Sequence, residues 1–230
     1  MSAWMACITV AWFGQTARAQ GEILPDVKPA AIEQRVAALE LLLKDSDRKV
    51  EVVRDRETTI LALIAIANRE SKGGGDLDLL KLALLELGNY PDSPRALRTL
   101  SSMIDVQVSE LLNPGRPLDG YPAAEALIKI GSPARRYVIG GSTPAPNHVL
   151  HLRAHVLAKI EQTGDDWTSG PPVAVFRLTR ELERVVAETV PAEHEEFKES
   201  HIKKLKRMIG LLIEPGFLSS QIPFKAAEAP

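Results

Sequence analysis

The chain is short of cysteine, of aromatic residues and of any excess of one charge, and each shortage narrows what it can be. Cys7 is the only cysteine in 230 residues, which leaves no disulfide framework and no CxxC metal pair. Aromatic residues make up 5% of the sequence, and the apolar mass is carried by Leu, Ile, Val and Ala. That mixture suits helix packed on helix better than a sandwich or barrel, which leans on β-branched and aromatic residues. The net charge is −2, with acids and bases interspersed. No basic excess of the kind that draws a protein to nucleic acid is present. No G-x-S-x-G, P-loop, G-x-G-x-x-G, H-E-x-x-H or EF-hand pattern occurs, so no reaction class is announced and no cofactor is implied.

What is present begins at the N-terminus. Residues 3–14, AWMACITVAWFG, form an apolar run followed by Ala17-Arg18-Ala19, an A-x-A pattern with small residues where a signal peptidase needs them. This reads as a secretory signal peptide over residues 1–19, although no Lys or Arg precedes the run. The run falls far short of the ~20 residues that span a bilayer, so no stable membrane anchor is expected. The expected location is exported, periplasmic or extracellular. A lead segment (20–31), a helical domain (32–213) and an irregular tail (214–230) follow.

Helical periodicity governs the domain. Ile32, Val36, Leu39 and Leu43 lie on one face of a first helix. A second runs from about Lys49 to Arg69, and its ILALIAIA stretch, apolar nearly all round, predicts burial between neighbours. Asp76 caps a third helix that Gly88 closes. Ser93-Pro94 opens a fourth, with its stripe at Leu97, Leu100, Ile104, Val108 and Leu111, and Ser132-Pro133 repeats that start signal for a short sixth. The fifth spans Pro122 to Ile130 and the seventh Asn147 to about Gln162. The DDWTSGPP stretch (165–172) reads as a loop. Two more helices follow, with stripes at Val175, Leu178, Leu182, Val185 and at Ile202, Leu205, Ile209, Leu212. The second of these has acids at its start and Lys203, Lys204, Lys206 and Arg207 near its end, which complements the helix macrodipole. Short helices with Gly/Pro punctuation favour stacked helix pairs over a long-helix bundle.

Three of these segments align on a closing glycine: DLDLLKLALLELG at Gly88, DGYPAAEALIKIG at Gly131 and LRAHVLAKIEQTG at Gly164. Each carries a large aliphatic residue four positions earlier, at Leu84, Leu127 and Ile160. The glycines lie 43 and 33 residues apart, bracketing the period of paired-helix repeats. On these residues the stretch from about Asp76 to Asp165 resembles a bacterial HEAT-like repeat protein. The small residues Ala123, Ala124 and Ala126 allow the close helix approach such repeats use. The family commonly pairs an Arg of the second helix with an Asp six positions earlier; here Arg153 faces Asn147 in that pattern, and Leu77 and Gly120 stand at the other Arg positions. The resemblance implies an all-α fold, a short right-handed α-α superhelix of antiparallel helix pairs of the HEAT/armadillo kind. It also implies a curved face that holds another protein.

Candidate sites are few. His148, His151 and His155 fall within an arc of about 60° on the seventh helix, opposite its aliphatic residues. They are the candidate ligands for a metal such as zinc, nickel or copper, set against a plain reading as part of an exposed polar stripe. His194-Glu195 is a His-Glu pair of the kind that HEAT-like di-iron hydroxylases carry several times over; this chain has one, in an acid-rich first turn. Arg153 reads as a structural arginine, and Asp165, Asp166 and Trp167 as an acidic turn. The expectation is an exported, non-catalytic scaffold that binds another protein and no nucleic acid. The alternative is a metal-binding or metal-dependent protein built on the histidines. A relation to HEAT-like bilin lyases fits an exported chain poorly.

Overall fold

The computed structural model describes residues 29–44, 56–108, 118, 120–140, 144–164, 168–215 and 217. The segment read as a signal peptide, the start of the second helix, the Asp165–Trp167 turn and most of the tail lie outside them. The described chain is all-helical, with nine α-helices and no strand. They are α1 (Pro29–Lys44), α2 (Arg56–Glu70), α3 (Leu77–Leu87), α4 (Pro94–Ser102), α5 (Pro122–Ile130), α6 (Arg135–Ile139), α7 (Asn147–Glu161), α8 (Gly170–Ala187) and α9 (Glu195–Ile213).

Local chemistry sets several boundaries. The Asp76 carboxylate accepts a hydrogen bond from the Leu79 N–H at 3.0 Å and caps α3. Ser93 does the same for the Ala96 N–H at 3.3 Å, with Pro94 at the first helical position. Three expected boundaries are corrected. Helix α4 ends at Ser102, so Ile104 is buried in the following turn and Val108 donates its N–H to the Gly120 carbonyl at 2.8 Å. Ser132 caps nothing; Ser132–Ala134 is a 3-10 turn whose N-cap is Gly131. Gly170, Pro171 and Pro172 form the first turn of α8 and not a loop, because prolines there lack only N–H groups that would go unbonded anyway.

The three glycine-closed segments are α3, α5 and α7. Their closing residues differ in backbone: Gly131 (φ 73°) and Gly164 (φ 60°) are left-handed, whereas Gly88 is right-handed at φ −63°. At Gly88 the missing side chain serves approach, since a Cβ there would lie 3.1 Å from that of Ala126. Ala123, Ala124 and Ala126 are themselves fully buried.

Helices α1, α3, α5, α7 and α9 touch one another in that order, and α2, α4 and α6 do so in theirs. Each neighbouring pair in sequence also packs together from α1/α2 to α4/α5 and again from α6/α7 to α8/α9. The core is one cluster running through all of them, with Leu39, Leu63, Leu84, Leu100, Leu127, Leu152 and Leu205 fully or almost fully buried.

Candidate functional site

Helix α7 is the best-supplied position in the molecule, because α5, α6, α8 and α9 all pack against it. Ten of its fifteen residues are buried, His151, His155 and Glu161 among them. This corrects the exposed-stripe expectation: a helix wheel marks the polar arc but not the neighbours that cover it. His151 is 8% and His155 4% exposed.

Their rings lie 4.9 Å apart, centroid to centroid, one helical turn from each other. Phe217 covers both, edge-on to His155 at 4.2 Å and tilted against His151 at 5.3 Å. So the tail, expected to be irregular from Glu214 onward, is anchored at least at this ring, which is 4% exposed. Neither ring nitrogen of His155 has a hydrogen-bond partner. Burial, and then the charges of His151 and Lys159, push its pKa down to about 3, so the ring is neutral. Burial also lowers His151, against an opposing pull from Glu214 and with a push from Arg207.

His148 does not join them. Its Nε2 lies 3.6 Å from an Asp105 carboxylate oxygen, a charge contact longer than a hydrogen bond. Among the described residues no three His, Cys, Asp or Glu side chains come together as a set of metal ligands. His194 is 36% exposed in its side chain, with Nε2 3.7 Å from Glu193.

At the opposite flank of α7 lie two charges, the partly buried Arg153 and the buried Lys204 of α9. The Arg153 guanidinium donates to the Ser101 carbonyl (3.0 Å), the Tyr137 carbonyl (2.9 Å), the Val138 carbonyl (2.7 Å) and the Ser101 hydroxyl (3.2 Å). It thereby holds the C-terminal ends of α4 and α6, where the helix dipole is negative. Lys204 of α9 reaches the same place: a Cβ on Gly140 would lie 3.0 Å from Arg153 Nη1 and 3.5 Å from Lys204 Nζ. Burial, reinforced by Arg153, pulls the Lys204 ammonium down to about 8. Sequence reading left Lys204 in a basic cluster at a helix end. The signal for its burial was its spacing with His201, Met208 and Leu211, an inward stripe displaced from the one expected.

Glu161, at the end of α7, is 2% exposed in its side chain and pairs with both Arg135 of α6 and Arg177 of α8, the latter at 2.8 Å. Two open grooves lie elsewhere, of about 420 and 400 Å3, at the starts of α2, α4 and α6. They meet at Asp92 and are edged by the ion pairs Arg56–Asp92 and Arg95–Glu57. Arg153 and Glu161 thus act as ties between helices, whereas His155 keeps both ring nitrogens without a hydrogen-bond partner. Comparison with protein-family models, with curated proteins and with solved structures finds no match.

Proposed function

We propose that this chain is an exported, non-catalytic HEAT-like scaffold that docks another protein. The observation that carries the reading is the order of contacts, in which odd-numbered helices touch the next odd one and α2, α4 and α6 follow alongside. An α-α superhelix of about three repeat units produces that order, because each pair meets only its neighbours. Two features support it further: α3, α5 and α7 are the segments that align on glycine, and alanines line the close approach of α5 to the end of α3. The large apolar side chains left in water on the last pair, Phe176 (62% exposed) and Phe197 (53% exposed), with Val186 and Ile213, support a binding role.

The test is site-specific photocrosslinking from positions 176 and 197 in the producing cell. One protein adduct of fixed mass is expected at both positions, and it should fade with Phe176→Ser or Phe197→Ser. Absence of any adduct across both helices would remove the docking reading. Sequencing of the mature N-terminus checks export: a chain beginning at Gln20 is expected, and an intact Met1 on cell-internal protein overturns it.

A further inference from the structure

We propose that His151 and His155 chelate a single late first-row divalent metal ion, copper, nickel or zinc, beneath Phe217. The inference is independent of any docking role. The first support is geometry. Two histidines four residues apart on a helix lie on one face, one turn apart, the arrangement by which helical His pairs bind zinc. Metal–nitrogen bonds of about 2.0–2.1 Å place the ring centroids of two adjacent ligands roughly 4.5–5 Å apart. The observed separation of 4.9 Å falls within that range.

The second support is the unmet valence of His155. A neutral imidazole keeps one N–H and one lone pair, and neither nitrogen of this ring is hydrogen-bonded although the residue is 4% exposed. Buried polar atoms are almost always satisfied, and an exception asks for an ion or a water. Coordination uses the lone pair directly, and a neutral ring is already in the ligating state, with no proton to expel.

Charge around the pair is mixed. Lys159 faces His155 and Arg207 faces His151, and both oppose a cation. Glu214 faces His151 from the end of α9 and is the counter-charge. Its side chain is 56% exposed and its pairing with Arg207 is loose at 3.9 Å, so it can turn toward the ion. Water fills the other positions. Imidazole ligation with open positions suits copper, nickel and zinc, and disfavours magnesium and calcium, which take oxygen. His148 takes no part, being drawn to Asp105.

The experiment uses the full chain without an affinity tag, dialysed in turn against copper, nickel and zinc, with metal content and melting temperature read together. One ion per chain is expected from at least one of these metals, with a raised melting temperature. Binding should weaken at least tenfold in His151→Gln and in His155→Phe and stay unchanged in His148→Ala. Should either variant fail to fold, the electron paramagnetic resonance spectrum of the copper-loaded native chain decides, since two coordinated imidazole nitrogens split its lines. Sub-stoichiometric binding of all three metals, retention of affinity in folded His151→Gln and His155→Phe, or a copper spectrum without two nitrogens would overturn the proposal.

Discussion

One guanidinium satisfies four acceptors at Arg153, and its worth is set by what its loss would leave behind. Replacement by Met would strand the Ser101 and Val138 carbonyls, while the Tyr137 carbonyl keeps the Ser101 hydroxyl as its donor at 2.7 Å. A buried acceptor without a donor costs about 1–3 kcal/mol, and ordered water would recover part of that. Arg153→Met is therefore expected to lower stability by about 2–4 kcal/mol in urea titration. Arg153→Lys should recover only a fraction, since an ammonium cannot fork across two helix ends. The buried histidines give a pH prediction at the same scale. An unfolded histidine titrates near 6.5, whereas His155 in the folded chain titrates at about 3. Between those values the unfolded chain binds more protons, so the contribution of His155 is whole above about pH 6.5 and declines as pH falls. His155 contributes a slope of about 1.4 kcal/mol per pH unit between those values. Carboxylates held low in the folded state, Glu70 and Glu181 (at about 2), add their losses only below about pH 4.5. The histidines alone therefore govern the window from 6.5 to 4.5. His155→Phe should flatten the dependence measured there, and an unchanged slope would show that His155 is not the buried titrating group.

Two glycines in helices α8 and α9 carry opposite expectations. At Gly170 a Cβ would lie 2.0 Å from the Ala158 carbonyl oxygen, a backbone atom of α7 that cannot step aside. Gly170→Ala must push the first turn of α8 off α7, which is expected to cost about 1–3 kcal/mol. Gly210 meets nothing within 4 Å inside α9, so Gly210→Ala should add about 0.5–1 kcal/mol through helix propensity. Melting temperatures of the two variants check both signs. At this scale the sequence was most readable where a side chain acts on its own backbone. Asp76 and Ser93-Pro94 announce their helices because a cap bonds residues only three positions away. The end of α4, the burial of Lys204 and the covering of His151 and His155 were not legible in the same way. Each depends on a neighbouring helix distant in the chain, and for the histidines on Phe217, sixty-two residues beyond His155. Periodicity gives the phase of a polar arc, and only packing tells whether water reaches it.

At the scale of the molecule, a stack of helix pairs and a single cooperative globule would answer local damage differently. Helix α9 packs mainly on α7 and α8, while among the described residues α2 and α3 pack mainly on each other and on α1, α4 and α5. Leu205 of α9 and Leu84 of α3 are both fully buried, and truncating either to Ala is expected to cost about 2–5 kcal/mol locally. In a stack of paired helices stability is a sum over units and their nearest interfaces, so damage at one end stays there. Leu205→Ala should therefore speed amide hydrogen exchange through α7, α8 and α9 while α2 and α3 keep their native protection. Leu84→Ala should do the reverse, loosening α2 to α5 and sparing the α8/α9 pair. A cooperative globule would answer differently, because the slowest amides then exchange only through global unfolding and all lose protection by the same free energy. Uniform acceleration in both variants would overturn the superhelix reading even with every helix intact. Opposite and local patterns would mark the ends of this chain as separable surfaces, free to hold a partner at Phe176 and Phe197 without disturbing the far end.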